Sequence, residues 1–186
     1  MIFKNKFCDL NIKLLNLNQL TKKKEKMELN FYAILTASLS TLLLGFVWYH
    51  PKVFGTIWQK ESGLSEEQLK NGNLVKIFGL TFVYSLMLAF IMQMLTIHQF
   101  GAIGMVGGAP ERALPSYAAF MADYGTAFRT FRHGAIHGFM SGIFLALPLI
   151  AINGLFEHKS WKYIAINTGY WTLIMTIMGA IVCGWQ

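Results

Sequence analysis

The sequence predicts an all-α membrane protein in which four helices form a bundle. Three observations lead to this prediction. Only 13% of the residues are charged, about half of the roughly 25% that is usual in a soluble domain. All of these charges lie outside four segments of 18 to 23 residues, and a helix needs about 20 apolar residues to cross a bilayer. Tryptophan and tyrosine gather at the segment ends, where amphipathic rings favour the lipid headgroups.

Each of the four predicted spans is an apolar stretch that contains no Asp, Glu, Lys or Arg. They cover about residues 31–48, 77–97, 134–156 and 163–185. Trp48 and Tyr49 end the first span, and Trp161 and Trp185 flank the fourth. Because the number of spans is even, both termini are expected on the same side of the membrane.

Residues 1–26 differ from the rest and are predicted to be a basic N-terminal extension to a membrane domain at residues 27–186. They carry seven lysines, and polar residues interrupt any apolar core that a cleaved signal peptide would need. A basic amphipathic surface helix is one interpretation. We favour another, in which translation starts at Met27, because the KKKEK run before it can be encoded by the purines of a ribosome-binding tract.

The membrane orientation depends on this extension. With it, the positive-inside rule puts the N-terminus in the cytoplasm, and without it the rule puts both termini outside. The formal charge falls from +7 to +2 without the extension, since residues 27–186 hold nine basic and seven acidic groups. A nucleic-acid partner inferred from the high pI would rest on this segment, and we exclude it.

The connecting segments contain several local signals. Ser65 and Gln68 form a capping-box pattern, which predicts a helix that continues into the second span. Glycine and proline in Gly101–Pro115 predict a loop. Aromatic residues at three- and four-residue spacing in Ser116–Arg132 predict an interfacial helix that leads into the third span. Pro148 predicts a kink in that span.

Small residues recur at four-residue spacing within the spans, and this pattern predicts close helix packing. Helices in lipid associate through close approach of their backbones rather than through hydrophobic burial. The GxxxGxxxG pattern of the third span is the most specific instance. The predicted packing residues are Gly134, Gly138, Gly142, Ala146, Thr172, Thr176 and Ala180.

Histidines at one end of the predicted bundle are candidate metal ligands. His133 and His137 are four residues apart, so both imidazoles can face one ion, and His98 ends the second span on the same membrane side. If residues 116–137 form one continuous helix, Asp123 shares the face of the two histidines and could assist them. The alternative is that these side chains belong to the polar membrane interface, and we assign no cofactor from sequence.

Two segments resemble a bacterial membrane family known as domain of unknown function 1761. They are GFVWYHPKVFGTIWQKESGL at residues 45–64 and INTGYWTLIMTIMGAIVCGW at residues 166–185. The matching motif residues are Trp48, Tyr49, Pro51, Phe54, Gly55, Trp58, Gly169 and Tyr170. The resemblance covers about residues 28–186 and implies a membrane location and a helical architecture, with no activity or site to transfer.

Three functions remain open. The leading interpretation is a structural or interaction-type bundle that contacts lipid and forms a homo-oligomer or joins another membrane protein. The second is a transporter or channel for a small solute, with Gln93 and Asn167 along its path. The third is a metal- or haem-binding protein. No nucleophile–base pattern indicates an enzyme, and the predicted location is the bacterial cytoplasmic (inner) membrane.

Overall fold

The computed structural model describes residues 29–186, which contain helices and no strand. Four of the helices are long and apolar enough to cross a membrane, so the predicted all-α, four-span architecture is confirmed. The spans are Phe31–Trp48, Leu74–Thr96, Phe131–Phe156 and Trp161–Gly184, numbered 1 to 4. The basic extension at residues 1–26 and the proposed start at Met27 lie outside the described residues.

Spans 2, 3 and 4 begin two or three residues earlier than predicted. The prediction began each of these spans after the last charged residue that precedes it. In the structure those residues, Lys76, Arg132 and Lys162, lie in the first turn of the helix. Long basic side chains can do this at a membrane surface because they extend toward the headgroups. Polar side chains accept a backbone N–H at the start of every span and so cap its unpaired donors. The caps are Asn30, Asn73, Thr130 and Ser160.

The bundle has two ends, which we name by what they carry. The terminal end holds the start of span 1 and the end of span 4, where the Asn30 side-chain amide donates to the Trp185 carbonyl at 3.2 Å. The loop end holds the turn after span 1 and the short connection between spans 3 and 4. Span 4 contacts each of the other three spans. The core between them includes Ile34, Ala37, Ala89, Met92, Ile174 and Met178.

Spans 3 and 4 approach each other closely because glycines face the partner backbone. A Cβ atom at Gly138 would overlap the Met175 carbonyl oxygen, and one at Gly142 would lie 2.5 Å from the Thr172 Cα. Gly134 lies against the carbonyl oxygen of Gly179 in the same way. No larger residue fits at these positions unless the helices move apart.

Short helices connect the spans at both ends. At the loop end they are Thr56–Ser62 and Glu66–Lys70, after a π-helical segment at Pro51–Gly55; at the terminal end they are His98–Met105 and Pro115–Tyr124, with a 3₁₀ turn at Pro110–Arg112. The capping box is confirmed: the Ser65 hydroxyl accepts from the Gln68 N–H, and the Gln68 side chain accepts from the Ser65 N–H. The predicted continuation into span 2 is wrong, because Asn73 caps a new helix.

Two predictions about the segment between spans 2 and 3 are wrong in part. The predicted loop at Gly101–Pro115 is helical up to Met105, and Gly107 and Gly108 then adopt positive φ angles just after the helix. The predicted helix at Ser116–Arg132 ends at Tyr124, and a turn separates it from span 3. The Thr130 backbone is extended, with φ −136° and ψ 152°, because its side chain caps span 3.

Span 3 is irregular one turn before its proline. Gly142–Ala146 is π-helical, and the Leu147 N–H donates to the Gly142 carbonyl five residues back. Pro148 has no N–H to continue the ordinary ladder, which accounts for an irregularity at this point. The π segment lies against span 4.

Candidate metal centre

Three histidines meet at the terminal end of the bundle. Nitrogen atoms of His98, His133 and His137, one from each ring, lie within 4.8 Å of one another. The Nε2 atoms of His98 and His133 are 3.0 Å apart. The ring centroid of His98 is 4.8 Å from that of His133 and 5.0 Å from that of His137, and the centroids of His133 and His137 are 4.4 Å apart. His98 comes from a segment 35 residues before His133, so the cluster is tertiary rather than local.

The packing of span 3 determines where two of these imidazoles point. Successive residues of an α-helix are rotated by about 100°, so His133 and His137 lie beside the face formed by Gly134 and Gly138. That glycine face is held against span 4. The histidine face is therefore turned sideways, toward the end of span 2. The Thr130 hydroxyl accepts from the His133 N–H at 3.2 Å and so sets where the helix begins.

The end of span 2 supplies the third imidazole. Span 2 stops at Thr96, and the extended backbone of Ile97, with φ −106° and ψ 102°, redirects the chain. His98 is the first residue of the short helix that follows and is exposed, whereas the other two histidines are half-buried. The cluster therefore has an open side at the terminal end of the bundle.

Phe128 lies against the cluster in a strained backbone conformation. Its ring centroid is 6.0 Å from that of His98 and 5.2 Å from that of His133. Its φ is +63°, a left-handed value that is a genuine outlier for a bulky side chain. Such strain persists where the surroundings hold it, and it concentrates at functional sites.

Gln99 holds this turn in place. It is only 5% exposed, and its amide nitrogen donates to the carbonyls of Tyr124 and Ala127, both at 2.9 Å. The turn that carries Phe128 is thus fixed to the residue next to His98. Arg129 adds a second attachment through its Nε, which donates to the Cys183 carbonyl at 3.1 Å.

Asp123 does not join the histidines. It is exposed and lies on the helix Pro115–Tyr124, and the group of candidate ligands in residues 29–186 contains no carboxylate. The prediction required a continuous helix from Ser116 to His137, and the turn before Thr130 breaks it. The face that would have carried Asp123 toward the imidazoles therefore does not exist.

The residues of the family-like motif meet at the opposite, loop end. The Trp48 indole donates to the Ile166 carbonyl at 3.2 Å, and the Tyr49 hydroxyl donates to the Asn167 side-chain oxygen at 3.0 Å. Tyr170 donates to the Thr41 carbonyl at 2.8 Å. Tilted ring pairs join Trp48 with Phe54 and Tyr49 with Tyr170, and an edge-on pair joins Tyr49 with Trp58. Together these contacts join the end of span 1, and the turn after it, to span 4.

Burial changes the chemistry of one member of this aromatic cluster. Desolvation raises the pKa of the Tyr49 phenol well above its usual value, and the neighbouring hydroxyls of Tyr170 and Tyr163 raise it further. Tyr49 therefore stays protonated and remains a donor to Asn167. Asn167 in turn donates to the Tyr163 carbonyl at 2.8 Å, which leaves its side chain bonded on both sides.

We expect replacement of Gly55 by alanine to destabilise the loop end. An added Cβ would overlap the Tyr49 carbonyl oxygen, and relieving such overpacking costs about 1–3 kcal/mol. The thermal unfolding midpoint of the purified protein in detergent should fall. Gly104→Ala is the matched control, because nothing lies within 4 Å of a Cβ there; equal midpoints for the two variants would contradict the close contact.

The remaining predicted packing residues lie along the interface of spans 3 and 4 or beside it. Ala146 and Thr172 are buried, and Thr176 and Ala180 are half-buried. The sequence contains no signal for Gln99, and it placed Phe128 only among the aromatic residues of the predicted interfacial helix, without a role at the histidines. A glutamine beside a histidine gives no pattern, and a left-handed phenylalanine has no sequence signal.

Comparison with known proteins gives one match. The family model described as "Protein of unknown function (DUF1761)" matches residues 32–183, a range that contains both the histidine cluster and the aromatic cluster. No curated protein and no solved structure matches the chain. The chain therefore belongs to the DUF1761 family, a family of unknown function, as its motif residues had indicated.

Proposed function

We propose that this protein binds one transition-metal ion at the terminal end of its helix bundle, through His98, His133 and His137. The observation that carries the proposal is the convergence of three imidazole nitrogens within 4.8 Å, from two segments far apart in sequence. A tetrahedral zinc ion with Zn–N bonds of about 2.0–2.1 Å holds its ligand nitrogens about 3.4 Å apart. Side-chain movements of about 1 Å would bring these nitrogens to such positions.

The ligand type favours a borderline divalent ion such as Zn²⁺. Imidazole suits zinc, copper, iron and nickel, whereas magnesium and calcium prefer oxygen ligands. The group contains no thiolate and no carboxylate among residues 29–186. Three protein ligands with a further open position are typical of zinc sites that bind an exchangeable molecule.

The geometry favours a single ion over haem. Two histidines that ligate a haem iron lie on opposite faces of the porphyrin, which must pass between their rings. Here the third ring, that of His137, lies 5.0 Å from His98 and 4.4 Å from His133. It occupies the space that the porphyrin would need.

The other two interpretations have less support from the contacts. Gln93 is 2% exposed and its amide nitrogen has no partner in the described part of the chain, but Asn167 is fully engaged. A groove of about 650 Å³ between spans 3 and 4 is lined by apolar groups and includes neither residue. A solute path and a homo-oligomer therefore remain predictions, as does location in a bacterial inner membrane.

Metal loading of the full chain tests the proposal. We would strip the purified protein with a chelator, dialyse it against Zn²⁺ and measure bound metal by mass spectrometry. Wild type should bind one ion per chain, and the triple variant with glutamine at positions 98, 133 and 137 should bind none. His158→Asn is the matched control, because His158 is exposed at the loop end and asparagine tolerates its φ of +54°.

Folding must be shown to be intact for the comparison to count. The elution profile and thermal midpoint of the triple variant should equal those of wild type, since two of the three rings are half-buried rather than core residues. A folded triple variant that binds as much zinc as wild type would overturn the proposal.

A further inference from the structure

We infer that the metal centre takes an oxygen anion from outside the described chain as its fourth ligand, either a small carboxylate from solution or a lipid headgroup phosphate. This inference rests on the proposed function and names the ligand class of the same site. The structural basis is an all-imidazole ligand set, with one exposed side, at the membrane surface.

The three histidines do not neutralise the charge of a divalent ion. Imidazole ligates as a neutral group, so three of them leave the full charge of a divalent ion uncompensated. No carboxylate or thiolate belongs to the group in residues 29–186. A charge next to a bilayer is poorly screened and strongly favours a compensating partner. An anion is therefore a better fourth ligand than a neutral molecule.

The charges around the histidine cluster are mainly basic. Arg129 lies in the turn before span 3, four residues before His133, and Arg132 lies at the start of the span, one residue before it. The acidic groups described at this end of the bundle are Glu111, which lies 4.0 Å from Arg112, and the exposed Asp123. Neither belongs to the histidine group. The local field therefore attracts anions rather than further cations.

The thiol of Cys183 contacts backbone carbonyls and is not directed at the histidines. Cys183 is fully buried, and its Sγ lies 3.5 Å from the carbonyl oxygens of both Thr96 and Phe128. It packs beneath the turn that carries Phe128 and is not a member of the candidate ligand group. The exposed side of the cluster, at His98, is left for an external ligand.

Lipid and solution can both supply such a ligand. A phosphatidic acid headgroup and a free carboxylate both present an anionic oxygen of the kind that binds zinc. The headgroup region lies at the level of the span ends, where His98 and His133 are found. The experiment therefore has one arm for each source.

Cobalt provides the readout, because the visible absorption of Co²⁺ reports its ligands. We would load the full chain with Co²⁺ in a neutral maltoside detergent and titrate it with acetate in one arm and with short-chain phosphatidic acid in the other. Diacylglycerol, which lacks the phosphate, is the control. We expect a saturable shift of the visible bands with at least one anion and none with diacylglycerol. A shift with acetate indicates a solution ligand, and a shift with phosphatidic acid alone indicates a lipid ligand.

The possible failures are distinguishable. If wild type binds no Co²⁺ and no Zn²⁺, the metal centre itself is wrong and this inference falls with it. If Co²⁺ binds but neither anion changes its bands, the metal centre stands and the inference is overturned. In that second outcome the fourth position is filled by water or by a group of the chain itself.

Discussion

Replacement of Gly138 by leucine should destabilise the bundle by about 3 kcal/mol or more. Overpacking a filled site with extra methylenes typically costs about 1–3 kcal/mol, and occasionally more. At Gly138 the first added carbon already overlaps the Met175 carbonyl oxygen and lies 2.8 Å from the Thr176 Cα. Both are backbone atoms of span 4, so the helices themselves must separate. The thermal midpoint in detergent, followed by size-exclusion chromatography after heating, measures the effect.

Gly79→Leu is the matched control for this prediction. Gly79 lies in span 2, and nothing is found within 4 Å of a Cβ built there. The control therefore makes the same chemical change in a membrane helix, at a position that faces open space. It should keep the wild-type midpoint or raise it slightly, since glycine costs about 0.5–1 kcal/mol within a helix. Equal stability of the two variants would contradict the close packing of spans 3 and 4.

Gly138→Leu should also weaken metal binding. The glycine face and the histidine face are neighbouring faces of span 3, so a movement of span 3 that relieves the overlap at Gly138 also displaces His137 relative to His98. Zinc affinity measured below the lowered midpoint would report this coupling. A variant that is destabilised but binds zinc as tightly as wild type would show that the cluster does not depend on the packing of spans 3 and 4.

The spans were predictable from sequence because their physical cause is local. A bilayer imposes a minimum length of apolar residues, and a single charged residue is enough to mark a boundary. The starts of spans 2, 3 and 4 were predicted two or three residues too late for an equally physical reason. Lys76 and Arg132 lie inside the first helical turns, where a long side chain reaches the headgroups without interrupting the helix.

The candidate site was predictable only in part. The spacing of His133 and His137 places both on one helix face, and counting spans puts His98 at the same membrane side. The geometry of the approach could not be predicted, since it depends on the extended backbone at Ile97 and on the glycine contacts of span 3 with span 4. The error at Asp123 came from extending a helical pattern through a turn, because aromatic residues at helical spacing continue on both sides of it.

The aromatic cluster shows the opposite relation between sequence and structure. Most of its members were found only as a motif of the family resemblance, and the physical role predicted for Trp48 and Tyr49 was to lie at the membrane interface. The structure joins Trp48 and Tyr49 of one segment to Asn167 and Tyr170 of the other. Two stretches more than 100 residues apart thus form one set of contacts between spans 1 and 4. Contact between helices is a sufficient explanation of this motif, and no catalytic role is needed.

Replacement of His133 alone by glutamine should lower zinc affinity at least about 100-fold. Loss of even an outer partner of a metal ligand costs about 10–100-fold, and His133 is itself a proposed ligand, with its Nε2 3.0 Å from that of His98. The glutamine amide is a much poorer ligand for zinc than imidazole. Competition against a zinc-binding dye, with the protein held in neutral detergent, measures the change.

Asp123→Asn tests whether the zinc ion is bound by the three histidines or attracted by the general charge at the membrane surface. Asp123 is exposed on a different helix and outside the ligand group, so its amide variant should bind zinc as wild type does. If the two variants lose affinity equally, the ion is held by diffuse attraction to polar groups at this end of the bundle. If only His133→Gln loses affinity, the ion is held by directed bonds to the histidines. Removing one neutral ring of the three does not change the charge, but it leaves a site with two protein ligands, which competes poorly with water for the ion.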